Sequence, residues 1–261
     1  MRVEMLTHDD PIYTLPFFEE FFTHYGQELG TFRIYCCRAM GKRRRGQLLK
    51  ELFFLYGPLG FLHLCTRWLV ARLSGILPRT SSSKHFYSFT QLCSAFGIPY
   101  EYIGSPNDPV FVAGLKDRAP DLIISVACPY VLKPSVLSVP RLGCLNIHNA
   151  PLPRYKGMMP TFWQLYHGET AVGCTVHYMV PKIDEGPAVM QSSLKIEPGE
   201  SLHHLMIRSK RYGAHCMAEV LRKIKSGGPE PKALDESKGS YFTFPTIGEM
   251  KEFHRRGLRA I

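Results

Sequence analysis

The sequence predicts an α/β protein with a doubly wound, mostly parallel sheet flanked by helices, and with a short C-terminal extension. Short apolar segments alternate along the chain with longer segments of helical periodicity, which is the pattern of strand-helix-strand units. The clearest strand signal is the continuous, β-branched segment at residues 121–127, which turn residues bound on both sides. A chain of 261 residues is long enough to bury a sizeable core in one large domain, or in one domain with an appendage.

The predicted elements follow one another in the order that such a sheet requires. Strands are predicted at residues 2–7, 32–37, 100–103, 121–127 and 144–148, followed by a strand pair at 173–180 and 188–196. Helices are predicted at residues 15–22, 88–97, 108–120, 134–139 and 201–225, with a short amphipathic helix within 240–257. In a Rossmann-like sheet of this kind, ligands bind beyond the carboxyl ends of the parallel strands.

Local signals place the ends of these helices. Gly97 is positioned as a C-terminal stop, and Pro120 closes the helix that starts after Asn107 and Asp108. Ser201 is a suitable N-cap for the long helix that follows it. We therefore divide the chain into a domain at residues 1–225 and a linker-like and aromatic extension at 226–261.

The chain is basic, with a formal net charge of +10 and a pI near 9.2. Basic residues form one run at 42–45 and another at 254–259. Such runs are more often solvated or anion-steering surfaces than nucleic-acid sites, and the sequence shows no RNA-binding or helix-turn-helix signature. Nucleic acid is therefore the disfavoured partner.

The cysteine pattern favours an intracellular protein without a structural metal. Eight cysteines are scattered, Cys36 and Cys37 are adjacent, and none has zinc-ligand spacing. We expect reduced, mostly buried thiols. The first ten residues become acidic too early for a signal peptide, so we expect a cytoplasmic location.

A helical insertion at about residues 42–77 departs from the sheet pattern. Residues 48–77 are rich in Leu, Phe and Trp, but Gly57-Pro58, His63 and Arg67 interrupt them, so they favour two helices over one membrane-spanning helix. Core or subunit-interface helices, the latter in a homodimer, are the preferred interpretation. The alternative is a helix pair lying on the inner membrane surface, with its basic flank on anionic lipid.

Three polar side chains have the chemistry of a reactive site. Asn146 and His148 lie at the end of one apolar strand, and Asp184 lies in a tight turn 36 residues after His148. An amide donor, an imidazole and a carboxylate can together stabilise an oxyanion and move a proton. Each residue taken alone is more often a cap or a turn residue, so spacing by itself makes the site suggestive.

The segments "LNIHNAPLPRYKG" (145–157) and "GCTVHYMVPKIDEGPAVMQ" (173–191) together resemble the folate-dependent formyltransferase family. Members carry Asn-x-His, then a Pro- and Tyr-containing loop, then a turn with a matching Asp. The resemblance is good over about residues 85–225. It implies transfer of a formyl group from 10-formyltetrahydrofolate, with no metal. By this resemblance Asn146 and His148 polarise the formyl oxygen, while Asp184 sets the protonation of His148 and helps to remove the amine proton.

The same resemblance assigns the binding of the folate. It places the pterin between the loop at 128–133 and the turn at 180–184, with His177 near the site. Alternatively, His177 only packs and hydrogen-bonds within its strand, an interpretation that has at least equal weight. Backbone and apolar groups of six residues are expected to contact the pterin: Tyr130, Val131, Leu132, Val180, Pro181 and Ile183.

Departures from the family pattern bear on the acceptor and leave the reacting groups in place. Ala150 and Cys128-Pro129 replace more usual residues. The residues after 225 are too few for the C-terminal barrel of tRNA formyltransferases. Residues 7–16 lack the phosphate loop of the purine-pathway enzyme. Related hydrolases carry an extra N-terminal domain. The amino-sugar N-formyltransferases are the closest remaining resemblance, with the sugar nucleotide-linked or lipid-linked. Lys156, Met158 and Trp163 are the candidate substrate contacts, although Trp163 fits the core slightly better. Methionyl-tRNA, glycinamide ribonucleotide and hydrolysis stay as alternatives.

Overall fold

The computed structural model describes residues 1–38, 45–83 and 85–261. Most of the predicted basic run at 42–45 therefore lies outside the described residues. The described chain forms a seven-stranded sheet in the order β3-β2-β1-β4-β5-β7-β8, and a separate pair of short strands, β6 and β9. The strands are β1 (Arg2–His8), β2 (Thr31–Cys37), β3 (Tyr100–Ile103), β4 (Leu122–Val126), β5 (Cys144–His148), β6 (Lys156–Gly157), β7 (Ala171–Tyr178), β8 (Ala188–Lys195) and β9 (Tyr241–Phe242).

The first five strands of the large sheet are parallel, β7 is antiparallel to β5, and β8 is antiparallel to β7. The predicted mostly parallel α/β architecture is confirmed. The helices are α1 (Leu15–His24), α2 (Gly26–Leu29), α3 (Arg45–Ser74), α4 (Phe89–Phe96), α5 (Pro109–Arg118), α6 (Pro134–Leu137), α7 (Pro160–Tyr166), α8 (Leu202–Lys225) and α9 (Ile247–Arg255).

The helix ends lie where the sequence signals them. The Ser201 hydroxyl accepts a hydrogen bond from the His204 amide at the start of α8, and the Asp108 carboxylate caps α5 in the same way. Gly97 ends α4 with a φ of 64°, a left-handed conformation that a residue without a Cβ adopts at little cost. These local contacts mark where each helix begins or ends.

The sheet is covered on both faces, and β5 contributes to both. Leu145 and Ile147 point into the apolar core beneath α1, α4 and α8, and both are buried. Cys144 points to the opposite face, into the core that α5 and α6 cover. Because side chains alternate along a strand, Asn146 and His148 lie on the same face as Cys144. The fold thus presents the two predicted site residues on one side of one strand.

The C-terminal extension packs onto the sheet domain. Strand β9 pairs in parallel with β6, so that Lys156 is opposite Tyr241 and Gly157 is opposite Phe242. Phe253 of α9 is fully buried and stacks on Phe162, with ring centroids 5.0 Å apart. Residues 226–261 therefore complete the wall beside the loop that follows β5.

Helix α3 is kinked, as the Gly57-Pro58 pair predicts. Gly57 has φ 66° and ψ 174°, so two helical segments meet at a sharp bend. In the second segment, Leu64 and Ala71 are buried, whereas most of the neighbouring large apolar side chains are exposed. The first segment contributes Leu55 to the apolar core, whereas only a narrow stripe of the second segment contacts the domain. The interpretation as core helices therefore holds for part of the insertion, and the interpretation as subunit-interface helices stays a prediction.

A polar cluster joins α3 to the turn before α1 and to α8. The Tyr13 hydroxyl lies 2.8 Å from the Tyr56 hydroxyl and 2.9 Å from Nδ1 of His203. Burial lowers the pKa of His203 to about 4, and the nearby guanidinium of Arg67 and the imidazole of His63 act in the same direction. The neutral imidazole is therefore the form that accepts the Tyr13 hydroxyl hydrogen.

This cluster should make the protein less stable in mild acid. In the unfolded chain His203 takes up a proton near its ordinary pKa, whereas in the folded chain it stays neutral until about pH 4. The unfolded state therefore binds more protons between these values, and stability falls as the pH is lowered through this window. We expect the wild type to lose on the order of 1 kcal/mol of unfolding free energy relative to His203→Gln between pH 7 and pH 5, after discounting for partial solvent screening.

Urea unfolding of both proteins at the two pH values measures this difference. His24→Gln, an exposed histidine on α1, is the matched control and should follow the wild type. Equal pH dependence of the wild type and His203→Gln would contradict the assignment.

Candidate active site

The end of β5 carries the candidate catalytic side chains. Asn146 is half-buried, and His148 is only 7% exposed. Nε2 of His148 donates to the Tyr155 carbonyl oxygen at 2.8 Å. A carbonyl oxygen only accepts hydrogen bonds, so Nε2 carries the hydrogen and Nδ1 is the nitrogen left for chemistry. Nδ1 points to the Asp184 carboxylate, 3.6 Å from its Oδ2.

The backbone holds Asp184 in this position. Its Oδ2 accepts the Gly157 amide hydrogen at 2.9 Å, and its φ of 55° is unusual for a residue with a side chain. Gly186 allows the turn, since a Cβ there would lie 1.7 Å from the Tyr178 carbonyl oxygen. The sequence "IDEGP" is therefore a constrained turn that aims its carboxylate at the end of β5.

His177 is a further imidazole in the site and connects Asn146 to Asp184. Its Nδ1 donates to its neighbour's carbonyl, the Tyr178 oxygen, at 2.9 Å, which leaves Nε2 as an acceptor. The Asn146 amide nitrogen donates to that Nε2 at 3.2 Å, and Asp184 Oδ1 lies 3.7 Å from it. Burial lowers the pKa of His177 more than the Asp184 carboxylate raises it, so the ring is neutral at neutral pH.

His177 thereby fixes which way the Asn146 amide points. With its NH₂ group turned to His177, Asn146 keeps a second N–H to donate toward a reactant. We expect His177→Leu to lower kcat about 10- to 100-fold, because the amide loses the acceptor that orients it. His177→Gln, whose side-chain oxygen can accept the same hydrogen bond, should recover most of the rate. Steady-state kinetics of the two variants measure this, and equal losses in both would instead indicate packing.

The two loops expected to hold the pterin flank this site. The loop at 127–133 follows β4, and the turn at 179–187 follows β7, on either side of β5. Val131 and Ile183 are 50% and 44% exposed. Tyr130 donates its hydroxyl to the Gly104 carbonyl, and Leu132 is buried in the core beneath α5. Val180 is half-buried and Pro181 is exposed in the turn.

Asn107 positions the first of these loops, a role that the sequence does not reveal. Its amide donates to the Val131 carbonyl oxygen at 2.9 Å and accepts from the Lys133 amide at 2.8 Å. The sequence shows Asn107 only as part of a helix start. A side chain that bonds a loop 24 residues away leaves no local signal.

The predicted substrate contacts differ in accessibility. Lys156 donates to Glu185 at 3.1 Å and to Glu236 at 2.8 Å, so its charge is already paired. Met158 is exposed. Trp163 is 4% exposed and donates its indole N–H to the Thr243 carbonyl, which agrees with the core interpretation. Trp163 therefore offers almost no surface to a substrate.

The arrangement combines three functions within one small volume. Asn146 supplies an oriented N–H donor, and His148 supplies a ring nitrogen whose opposite nitrogen is fixed. Asp184 supplies a carboxylate next to both histidines. Such a set can stabilise negative charge on a reacting carbonyl oxygen and carry a proton away from a nucleophile.

Comparisons of sequence and of structure both relate this chain to formyltransferases. The formyl transferase family model matches residues 100–221. A methionyl-tRNA formyltransferase of Synechococcus sp. (strain JA-3-3Ab) is 36% identical over 151 residues, covering 58% of this chain and 47% of the relative. The chain therefore spans about half the length of the curated relatives it matches.

Solved structures share the fold at low identity. Glycinamide ribonucleotide transformylase 1 from Symbiobacterium toebii superposes with a TM-score of 0.57 at 17% identity, covering 90% of this chain and 94% of that one. A sugar 3N-formyl transferase, solved in the presence of dTDP and 5-N-formyl-THF, superposes with a TM-score of 0.58 at 14% identity. It covers 100% of this chain and 82% of that one.

Proposed function

Residues 100–221 of this chain belong to the formyl transferase family, and from this membership we propose that the protein transfers a formyl group from 10-formyltetrahydrofolate to a primary amine. The observation that carries the proposal is the convergence of Asn146, His148 and Asp184. His148 and Asp184, which are 36 residues apart in the chain, lie within ion-pair distance of each other. His177 lies within reach of both Asn146 and Asp184.

The chemistry follows from the positions of these atoms. The reaction joins the amine nitrogen to the formyl carbon and breaks the bond from that carbon to N10, which finally receives the proton that the amine loses. Asn146 donates a hydrogen bond to the formyl oxygen as negative charge develops on it, and Nδ1 of His148 donates to the same oxygen once that nitrogen carries a proton. The Asp184 carboxylate lies 3.6 Å from Nδ1 of His148 and accepts or relays the amine proton.

The two flanking loops offer apolar side chains that suit the two faces of a flat aromatic ring. Val131 and Ile183 expose about half of their side chains on loops either side of β5. Residues 127–133 contain no acidic residue. Backbone groups of Leu132 and Pro181 would read the polar edge of a pterin held between these two apolar side chains. The folate supplies the activated formyl group, and the chain supplies orientation and proton transfer.

An amino sugar is the acceptor class that we propose. Tyr241 exposes 55% of its surface and lies against Gly157, whose amide hydrogen bonds Asp184. An exposed aromatic ring beside a catalytic carboxylate suits the apolar face of a sugar. The turn after β1 does not suit the phosphate of a ribonucleotide, because the Asp10 carboxylate already accepts the Ile12 and Tyr13 amide hydrogens.

Methionyl-tRNA is the second candidate acceptor. It is favoured by the identity of 36% to a methionyl-tRNA formyltransferase, although the match covers less than half of that relative. The positive net charge of this chain also fits an RNA substrate. The two candidates differ in size and charge, so one assay can separate them.

A panel assay tests the proposal. The purified chain is incubated with 10-formyltetrahydrofolate and, separately, nucleotide-linked 3- and 4-amino sugars, glycinamide ribonucleotide and methionyl-tRNA. Mass spectrometry then detects one added formyl group. We expect a formylated amino sugar that is absent with His148→Ala. Formate release without a formylated acceptor would overturn transfer in favour of hydrolysis, and formylation of methionyl-tRNA alone would replace the sugar assignment.

A further inference from the structure

Exposed apolar side chains are concentrated on the helical insertion. Among the residues that the structure describes, seventeen large hydrophobic side chains are exposed, and eleven of them lie within residues 48–77. Soluble domains seldom leave such a contiguous apolar surface uncovered. The outward face of α3 therefore has the composition of a binding surface.

The second segment of α3 has two opposite sides. Leu62, Leu69 and Leu73 are all exposed, and their spacing places them on one side of the helix. Ile76, exposed in the turn that follows α3, extends this row. Gly60, Leu64 and Ala71 form the opposite, buried stripe. The helix is thus pressed lengthwise against the domain, with a row of leucines turned outward.

The end of this helix is fixed to the domain by hydrogen bonds from side chains to backbone carbonyls. The Gln91 side-chain amide donates to the Ser74 carbonyl at 2.6 Å, and the Ser88 hydroxyl donates to the Gly75 carbonyl at 3.0 Å. At the other end, a Cβ on Gly60 would lie 2.9 Å from the side chain of Ile261, so the helix packs closely on the chain terminus. These contacts hold the leucine row in a fixed orientation.

The charge of the chain is concentrated in the same region. Residues 42–77 contain seven Lys or Arg and one acidic residue, Glu51, so this segment carries +6 of the net charge of +10 of the whole chain. Arg67 and Arg72 are exposed on α3 itself, and the Arg72 guanidinium lies 5.0 Å from the Trp68 ring centroid. An apolar row within a strongly cationic segment favours an anionic, apolar partner.

An anionic lipid bilayer is the partner that meets both requirements. A nucleic acid would neutralise the arginines but would leave the leucines in contact with phosphate and water. A second copy related by two-fold symmetry would bring two equally cationic surfaces together. A bilayer surface offers anionic headgroups above an apolar layer.

We propose that α3 docks the protein on an anionic bilayer, with the row Leu62, Leu69, Leu73 and Ile76 in the acyl boundary and the basic residues at the headgroups. By length and composition Gly46–Ser74 would suffice to cross a membrane. The bend at Gly57 and the buried stripe instead keep the helix in the interface plane. In this position α3 lies between the domain and the lipid, with Leu62 and Leu69 inserted into the lipid.

Flotation with vesicles tests this proposal. The full chain is mixed with phosphatidylcholine vesicles, with or without phosphatidylglycerol, at low and high salt. We expect flotation with the anionic vesicles, a weaker signal at high salt, and little binding to pure phosphatidylcholine. Leu73→Glu and the double variant Leu69→Glu/Leu73→Glu should lower the partition coefficient about tenfold or more, because each places a charge in the acyl boundary.

The matched control is Val110→Glu. Val110 is 82% exposed on α5, outside the insertion, so this variant makes the same charge change without touching α3 and should float like the wild type. Thermal unfolding checks that all variants fold. Equal flotation of wild type and Leu73→Glu would overturn the proposal. Absence of flotation would also overturn it. In that case a dimer in sedimentation that Leu73→Glu dissociates would indicate a second copy as the partner, and tRNA binding that Leu73→Glu abolishes would indicate a nucleic acid.

Discussion

Replacing His148 by alanine is expected to lower kcat for formyl transfer by about 10³-fold or more. The imidazole is held by a hydrogen bond from Nε2 to the Tyr155 carbonyl, and only Nδ1 faces Asp184. Alanine removes the group that both donates to the formyl oxygen and moves a proton. Steady-state rates with the acceptor identified in the panel assay, at saturating concentrations of both substrates, measure the loss.

The size of this loss separates chemistry from binding. Because Asn146 and the flanking loops remain, the KM for the folate should change much less than kcat. The exposed histidine His24 on α1 supplies the control, and His24→Ala should retain the wild-type rate. A His148→Ala rate within threefold of the wild type would show that the imidazole does not take part in the reaction.

Replacing Asp184 by asparagine is expected to lower kcat about 10²- to 10³-fold. The side-chain oxygen of asparagine can still accept the Gly157 amide hydrogen, so the turn should keep its shape. What is lost is the negative charge 3.6 Å from His148 and 3.7 Å from His177. Without it the amine proton has no carboxylate to accept or relay it.

Kinetics and folding together test this second prediction. Circular dichroism and thermal unfolding should show a folded Asp184→Asn protein, and its affinity for the folate by isothermal titration should stay close to that of the wild type. Asp117→Asn removes an exposed carboxylate on α5 and serves as the charge-matched control. If both variants turned over at the wild-type rate, Asp184 would be only a turn residue.

The position of the site residues follows from local sequence to a large extent. An apolar strand that ends in Asn-x-His places two polar side chains on one face because side chains alternate along a strand. The turn at 181–187 contains the glycine that its close backbone contacts require. Asn146, His148 and Asp184 are therefore identifiable from these local patterns, especially when they are combined with the family resemblance.

Other parts of the site depend on contacts that leave no local pattern. The role of Nδ1 of His148 depends on the Tyr155 carbonyl, and the tautomer of His177 depends on the Tyr178 carbonyl. Asn107 acts on a loop more than 20 residues away. Lys156 looks available in the sequence but is paired in the folded chain with Glu185 and Glu236.

By itself the sequence determined the α/β class, the helix caps, the kink at Gly57 and the positions of the three candidate site residues, because periodicity, capping and turn chemistry act between residues close along the chain. Their proposed role in the reaction comes from the family resemblance. The tertiary structure decided which ring nitrogens are free, and that the second segment of α3 packs on the domain by a narrow stripe while most of its leucines are exposed. Amphipathic and buried helices can have similar compositions, and only the packing of distant segments determines which apolar side chains are covered.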